Sequence, residues 1–296
     1  MSIRQITIIG TGLIGGSLGL ALHKYGFRGT VVGCDRKGVV ARAKRKGAVD
    51  QAFEDPIAAV RDSEVIVLAT PVGGILDLTE RLAFHLAPHT LLTDVGSTKG
   101  AIVARTRKIF GNEAGARFLP GHPMAGKENS GIDHADADLF CGAMWFVTPG
   151  TETDLRRGHA PEYLRWIKKI GAKVAAMQAD EHDELCAWIS HVPQMIATAL
   201  ASLLVEQYGS ESSLLDAGGR ALREMTRIAA SPYSMWRDIA ITNKEQISDA
   251  LLKLEQRLAH LRENLDTRQL EAEFEKAHRL KTRSTLGHRD TGKRQK

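Results

Sequence analysis

The chain has 296 residues, of which 43% are hydrophobic and 25% are charged, and its formal net charge is +5. A chain of this length most often makes two domains, and no apolar run approaches the length of a membrane span. The cysteines, 3 in number, form no CxxC pair, and no basic segment precedes a cleavage site near the N-terminus. We therefore expect no disulfide framework, zinc cluster or secretory signal, and a cytoplasmic protein.

Strand-like and helix-like segments alternate in the first part of the chain. The predicted strands lie near 5–10, 30–35, 49–53, 64–70, 90–95, 116–120, 144–148 and 173–177, and the predicted helices near 13–26, 37–47, 74–86, 98–110 and 160–170. Segment 64–70 is apolar on both faces, which is typical of a central parallel strand. The alternation predicts a doubly wound parallel sheet with right-handed crossovers, in a domain of residues 1–179.

Only helical patterns follow. The predicted helices cover 180–208, with Asp180 as N-cap, and then 213–230, 232–241 and 243–279. The apolar stripe of the last helix is wider than one small domain needs, which indicates burial against a second subunit. We expect an all-helical substrate and dimerisation domain at 180–279. Residues 280–296 are expected to form a basic, disordered tail and not a contact with nucleic acid or membrane.

A glycine-rich turn joins the first predicted strand to the first predicted helix. It reads Gly10-Thr11-Gly12-Leu13-Ile14-Gly15. Gly10 permits the tight turn, Gly12 lets a pyrophosphate approach the backbone, and Gly15 allows close packing of helix and strand. Amide groups where the helix begins, at Leu13 and Ile14, would face the phosphates. The turn therefore predicts a Rossmann-type dinucleotide-binding domain.

The second predicted strand ends in an acid. Asp35 stands where a carboxylate would bind the hydroxyls of the adenosine ribose and repel a 2′-phosphate, which favours NAD over NADP as the cofactor. Arg36 weakens this preference, because an arginine beside the ribose can bind that phosphate.

Two further segments end parallel strands at the carboxyl edge of the sheet, where open α/β folds bind ligands. One is Thr70-Pro71, and the other is 94–100, which reads DVGSTKG. Ser97 is expected to cap the helix at 98–110. Its hydroxyl could also face the nicotinamide and a substrate oxygen.

The segment 121–131, GHPMAGKENSG, places a histidine before a proline and among glycines. Proline disfavours the helical region for the residue before it, so His122 should be extended. Beside a redox cofactor an imidazole is a suitable general base for oxidising an alcohol, and kcat/KM should rise with pH through a pKa that starts from about 6.5. Taken alone, the pattern favours a loop histidine that is hydrogen-bonded for structure.

Several segments together give the chain a resemblance to a known family. They are GTGLIGGS at 10–17, TPV at 70–72, DVGSTKG at 94–100, GHPMAGKENSG at 121–131, SHVPQ at 190–194 and TRIAASPYSMWRDI at 226–239. In this order and spacing the chain resembles the prephenate/arogenate dehydrogenases of tyrosine biosynthesis. The resemblance implies an oxidative decarboxylation, in which a ring hydroxyl at C4 is oxidised by hydride transfer to NAD and the ring carboxylate leaves as carbon dioxide.

The resemblance also implies roles for individual residues. His122 matches the histidine that takes the hydroxyl proton, and Ser97 the serine beside that hydroxyl and the nicotinamide. Arg227 matches the arginine that binds a substrate carboxylate, and His191 a histidine of the substrate pocket. An anionic substrate suits an arginine, because the guanidinium offers a planar fork of donors. On the residues alone, Arg227 reads as a surface charge and His191 as a core group.

Other positions lie near the implied pocket. Glu128 matches an acid at its entrance, and Lys127, where a small hydroxyl residue is common in the family, could attract the anion or hold Glu128. Trp236 and Asp238 match a helical segment that completes the site at a dimer interface. Gln194 stands where the family often has a second histidine. We expect no metal.

The sequence leaves alternatives to prephenate dehydrogenation open. Arogenate, which has an amine where prephenate has a ketone, is the nearest, because one polar contact could decide between them. A 3-hydroxyacid dehydrogenase also joins a Rossmann domain to a helical one, but such enzymes commonly use a catalytic lysine in the helical domain. A non-enzymatic alternative is an NAD-sensing homodimer whose basic tail binds nucleic acid.

Overall fold

The computed structural model describes residues 2–127, 129–209 and 217–289, and the side chains of those up to 280. Six parallel strands form the first sheet, in the order β3-β2-β1-β4-β5-β6. They are β1 (Gln5–Ile9), β2 (Thr30–Cys34), β3 (Gln51–Phe53), β4 (Val65–Leu68), β5 (Leu91–Asp94) and β6 (Phe118–Leu119). This is the strand order of the Rossmann fold, so the predicted fold class is confirmed.

Helices connect these strands and cover the sheet. They are α1 (Leu13–Lys24), α2 (Lys37–Arg45), α3 (Pro56–Ala59), α4 (Val72–Leu82), α5 (Gly100–Phe110) and α6 (Ala114–Arg117). Val65 and Val67 of β4 pack into one hydrophobic core, whereas Ile66 and Leu68 pack into another. Each such buried side chain contributes about 1.5–3 kcal/mol. The strand is therefore buried on both faces, as its unbroken apolar sequence predicts.

A second, smaller sheet follows, with the order β7-β8-β9. It consists of β7 (Gly121–Pro123), β8 (Met144–Val147) and β9 (Lys173–Ala176), with α7 (Ala160–Lys169) between the last two. β7 is antiparallel to β8, and β8 is parallel to β9. The strand predicted at 116–120 is confirmed only over Phe118–Leu119, because Pro120, which has no N–H to donate, separates β6 from β7. The parallel sheet thus ends at β6.

The helical region begins with a continuous run of α8 (Ala179–Cys186), a π turn (Ala187–His191) and α9 (Val192–Tyr208). Its N-cap is Gln178, which forms a capping box with Glu181, and not Asp180 as predicted. The π turn comes just before Pro193, whose missing N–H cannot continue the α-helical pattern of hydrogen bonds. Proline thereby accounts for the irregular turn that ends at His191.

The bounds of the remaining helices differ from those that the sequence predicts. They are α10 (Gly219–Thr226), a 3-10 turn (Arg227–Ala230), α11 (Tyr233–Thr242), α12 (Lys244–Glu263) and α13 (Arg268–Arg289). The helix predicted at 213–230 falls partly outside the described residues. The single helix predicted at 243–279 is wrong: α13 begins anew after Thr267, whose hydroxyl accepts the Gln269 N–H at 3.2 Å. Residues up to Ile247 form one compact unit, and residues from Ser248 onward form a second.

The helical region exposes large apolar side chains. Examples that are more than half exposed are Leu203, Val205, Tyr208, Met225, Tyr233, Ile241, Leu252, Leu258 and Leu265. Within the described part of the chain, one helical run, Ala179–Tyr208, is long and apolar enough to cross a membrane, with a mean hydropathy of 1.4 in a window of which 22% is buried. That run corrects the expectation that no apolar segment approaches this length.

Candidate functional site

The glycine turn leaves space where a phosphate would lie. Gly10 has a φ of +96°, and a Cβ there would meet the carbonyl oxygen of Ala69 at 2.5 Å. A Cβ on Gly15 would collide with the carbonyl oxygen of Gly10. A Cβ on Gly12, by contrast, would have no atom of the described residues within 4 Å. The turn is therefore tight on its inner side and open at Gly12, as a pyrophosphate site requires.

The surroundings of the turn also fit a dinucleotide. Asp35 follows β2, and its Oδ2 accepts the N–H of Thr11 at 2.7 Å, so its carboxylate lies against the turn. Arg36 is exposed beside it. Leu13 and Ile14 are both half-buried. The α1 helix begins at Leu13, and none of the described side chains caps it. Its first amide groups are thus available to an anion.

The carboxyl end of β4 supplies a further polar group. The hydroxyl of Thr70 is buried and has no hydrogen-bond partner among the described residues. Pro71 is the N-cap of α4. Near the beginning of this helix, Asp238 of α11 accepts the N–H of Gly73 at 2.9 Å. This bond ties the helical segment 233–242 to the edge of the sheet.

A buried ion pair connects the end of β5 to β7. Asp94 and Lys99 are both fully buried, and the Lys99 ammonium donates to the carboxylate of Asp94 and, at 2.6 Å, to the carbonyl of Gly121. Asp94 also accepts the N–H of Gly96 at 2.7 Å and that of Gly121 at 3.1 Å. Burial raises the pKa of Asp94 and lowers that of Lys99, and each group opposes the shift of the other. The pair holds the loop that carries Ser97 against the strand that carries His122.

Ser97 does not have the predicted capping role. The α5 helix begins at Gly100 with Lys99 as its N-cap residue. The carboxylate of Asp183 in α8 accepts the N–H of Lys99 at 2.7 Å and that of Gly100 at 2.8 Å. Ser97 itself is half-buried in the loop before the helix. An acid distant in sequence therefore replaces the expected local cap.

His122 is extended, as its position before a proline predicts, and lies in β7. It is only 7% exposed, and its Nδ1 lies 2.9 Å from Nε2 of His182. Burial first, and then the positive charges that His182, Lys99 and His191 can carry, place the pKa of His122 well below 6.5. The starting value of about 6.5 that we took from the sequence is thus too high. The imidazole is neutral at neutral pH and can accept a proton.

The same cluster contains a thiol. Cys186 Sγ lies 3.4 Å from Nε2 of His182 and 3.9 Å from Nδ1 of His122, so the ligand atoms of all three side chains are within 4.8 Å of one another. That spacing could hold a metal ion. Burial raises the pKa of the Cys186 thiol to about 12, so without a metal the thiol stays protonated and can donate a hydrogen bond to His182. The expectation of no metal stays a prediction.

His191 lies at the end of the π turn and is fully buried. Its Nδ1 is 3.1 Å from Nδ2 of Asn243, and its ring contacts that of Trp236 edge to face, with 5.9 Å between centroids. Burial lowers the pKa of His191 to about 4. Within the described part of the chain, Nε2 of His191 and Nε1 of Trp236 are both buried without a hydrogen-bond partner. Both nitrogens are thus candidates for a ligand contact.

The other predicted substrate residues lie nearer the surface. Arg227 is exposed at the beginning of the 3-10 turn 227–230. Buried Gln194 holds this turn on α9, because its Nε2 donates to the carbonyl of Ile228 at 3.0 Å. The exposed ammonium of Lys127 pairs with Asp136 at 3.0 Å. Glu128 lies outside the described residues.

The comparisons with known proteins identify the family. The model of the prephenate dehydrogenase nucleotide-binding domain matches residues 18–176, and that of the prephenate dehydrogenase dimerization domain matches residues 178–279. The chain belongs to the prephenate dehydrogenase family. A prephenate dehydrogenase of Bacillus subtilis is 37% identical over 252 residues, which are 82% of this chain but 65% of the relative. The chain thus spans just under two thirds of that family member's length.

Solved structures of prephenate dehydrogenase relatives are similar over nearly the whole chain. The Aquifex aeolicus prephenate dehydrogenase in complex with hydroxyphenyl propionate and NAD+ has a TM-score of 0.81 and 30% identity, and the match covers 98% of this chain and 99% of that one. The Synechocystis arogenate dehydrogenase has a TM-score of 0.70 and 28% identity, with 97% and 99% covered.

Proposed function

We propose that the chain is an NAD-dependent prephenate dehydrogenase. The observation that carries the proposal is the position of His122 in a chain of the prephenate dehydrogenase family. Its imidazole is buried and neutral, and the ion pair of Lys99 with Asp94 holds its strand beside the loop that carries Ser97. NAD, when bound, supplies the acceptor for the hydride that leaves ring C4. His122 takes the proton of the C4 hydroxyl and returns it to the phenolate oxygen after carbon dioxide has left. The carbon–carboxylate electron pair enters the ring, which becomes aromatic 4-hydroxyphenylpyruvate.

The glycine turn and its neighbours would hold the cofactor. Gly10, Gly12 and Gly15 would shape the space for the pyrophosphate, and the amides of Leu13 and Ile14 would face it. Asp35 would bind the adenosine ribose and favour NAD over NADP, with exposed Arg36 opposing that preference. Thr70 and Pro71 would line the nicotinamide end.

The helical region would bind the substrate. Arg227 is proposed to bind a carboxylate of the dianion, because its fork of donors matches a carboxylate. His191 and Trp236 offer buried ring nitrogens that have no hydrogen-bond partner among the described residues. Lys127 and Glu128 are proposed at the entrance, where the pair of Lys127 with Asp136 orders the loop.

We further propose a cytoplasmic homodimer formed through the helical region. The match to a dimerization domain supports it, and so do the large apolar side chains that the helices expose. The apolar run Ala179–Tyr208 carries buried His182 and His191, so we assign its exposed face to a second copy of the chain and not to lipid. The division into domains 1–179 and 180–279, with a tail at 280–296, stays a prediction.

Arogenate is the second candidate substrate, because the chain is also similar to the Synechocystis arogenate dehydrogenase. The direct test is to incubate the protein with prephenate and NAD and to quantify both products. The proposal requires equal amounts of reduced cofactor and 4-hydroxyphenylpyruvate. Turnover of arogenate alone would replace the substrate assignment, and cofactor binding without turnover of either compound would favour the NAD-sensing alternative.

A further inference from the structure

Asp183 begins a chain of hydrogen bonds whose donors can be assigned. Its Oδ1 accepts the backbone N–H of Lys99 and its Oδ2 that of Gly100, at 2.7 and 2.8 Å. Backbone amides only donate, so both carboxylate oxygens act as acceptors here. Nδ1 of His182 lies 2.8 Å from the same Oδ1. His182 therefore carries its proton on Nδ1 and donates it to Asp183.

The tautomer of His182 determines that of His122. A neutral imidazole with its proton on Nδ1 has a lone pair on Nε2. That nitrogen lies 2.9 Å from Nδ1 of His122, so next to a neutral His182 the His122 ring carries its proton on Nδ1 and donates it. The thiol of Cys186, 3.4 Å from the same nitrogen of His182, is a weaker donor. The free lone pair of His122 is consequently on Nε2.

A second branch begins at the main chain of Asp183. Its carbonyl oxygen lies 2.8 Å from the side-chain amide of Asn243, and a carbonyl only accepts, so the amide nitrogen faces it. The same nitrogen lies 3.1 Å from Nδ1 of His191. Nδ1 of His191 is therefore an acceptor, and the ring carries its proton on Nε2. This N–H is the buried group without a partner among the described residues.

We propose that Asp183 is a positioning residue that gives the two site histidines opposite tautomers. Through His182 it leaves Nε2 of His122 unprotonated, and through Asn243 it leaves Nε2 of His191 protonated. His122 is thereby set to accept a proton and His191 to donate a hydrogen bond to a substrate oxygen. These two uses rest on the proposed function, whereas the tautomers rest on the hydrogen bonds alone.

The hydrogen bonds also offset part of the cost that burial places on the charged form of the base. When Nε2 of His122 takes a proton, Nδ1–H still donates to His182, and His182 still donates to the carboxylate of Asp183. Hydrogen bonds that end on an ionised group are about twice as strong as neutral ones. Asp183 also caps α5, so the same carboxylate fixes the loop of Ser97 relative to the histidines.

Nitrogen NMR of the protein labelled with ¹⁵N-histidine tests the tautomers directly, without substrate and near neutral pH. The variants His122→Asn and His191→Asn assign the two signals by their loss. We expect a proton on Nδ1 in His122 and on Nε2 in His191. The opposite tautomer in either histidine would overturn the proposal, even in an active enzyme.

Two substitutions of His182 test the positioning role kinetically. Glutamine keeps an oxygen acceptor near the place of Nε2, whereas leucine keeps bulk but offers none. His182→Leu should lower kcat by about 10- to 100-fold, the effect of losing one hydrogen bond to a charged group. His182→Gln should recover most of that loss. Cofactor affinity, measured by fluorescence titration, should be unchanged in both, which shows that the variants are folded.

Cys186→Ala is the matched control, because it truncates a buried neighbour of both histidines outside the proposed relay. Its kcat should remain within a few-fold of the parent. An equal loss in Cys186→Ala and His182→Leu, or no recovery in His182→Gln, would show that packing alone matters and would overturn the proposal. Absence of turnover in the unmodified protein would refute the proposed function, while the NMR experiment would still decide the tautomers.

Discussion

Replacing His122 with asparagine should remove the proposed base while keeping its contact with His182. An asparagine amide ends near the position of imidazole Nδ1, so it can still donate to Nε2 of His182, which lies 2.9 Å from His122 Nδ1. The variant has no counterpart of Nε2. A general base contributes about 10²–10⁴ in rate, or roughly 3–5 kcal/mol of barrier, so kcat should fall by that factor.

The burial of His122 also determines the pH dependence. Only the neutral imidazole accepts a proton, and burial together with His182, Lys99 and His191 places its pKa well below 6.5. The kcat/KM of the unmodified protein should therefore be level near neutral pH. It should decrease only as the pH falls through this lowered pKa. The His122→Asn variant should lack that acid limb.

Initial rates with prephenate and NAD, followed by the absorbance of the reduced cofactor from acid to neutral pH, measure both quantities. His159→Asn is the matched control, because His159 is also buried and its pKa is also lowered by burial, but it lies at the beginning of α7. The control should retain the parental kcat. A His122→Asn variant with parental kcat and pH profile, or a parental acid limb at or above about 6.5, would refute the reasoning.

Four other measurements test separate parts of the account. Asp35→Ser should narrow the preference for NAD over NADP in kcat/KM, and equal use of both cofactors by the parent would contradict the role of Asp35. Arg227→Ala should raise the KM for prephenate by about 10- to 100-fold, which is the effect of losing a charge-assisted hydrogen bond at an exposed position. The affinity for NAD should be unchanged, and weaker NAD binding with an unchanged KM would contradict the role of Arg227. The folded-state pKa of His191 is about 4, below the ordinary 6.5, so the unfolded state takes up a proton first as the pH falls. Urea unfolding should therefore show that the free energy of unfolding falls by up to about 3 kcal/mol between pH 6.5 and 4 because of His191. The His191→Asn variant should lack this decrease, and an equal pH dependence of the free energy of unfolding in both proteins would contradict the prediction. Light scattering at micromolar concentration should give twice the chain mass of 32.3 kDa, whereas a monomeric mass would exclude the dimer.

Local patterns predict the nucleotide-binding half of the molecule well. The glycine turn follows β1 and opens α1, and the apolar run of β4 is buried on both faces. Both features depend on residues adjacent in sequence, whose conformation and burial follow from their own side chains. For the same reason His122 is extended as predicted, because the proline that restricts it is its neighbour.

The groups that organise the site could not be predicted in this way. His182 lies 60 residues from His122, and Asp183 caps a helix 84 residues away. No spacing in the sequence marks such pairs, since they form only when α8 packs beside α5. Ser97 illustrates the same limit: its sequence position favours a cap, but the carboxylate of Asp183 occupies that place.

The most direct test of the central claim is a comparison of prephenate and arogenate, each with NAD and with NADP, by the rate of cofactor reduction. We expect the highest kcat/KM for prephenate with NAD, with carbon dioxide released in an amount equal to that of the reduced cofactor. Cofactor binding without reduction in all four mixtures would contradict the proposed dehydrogenase activity.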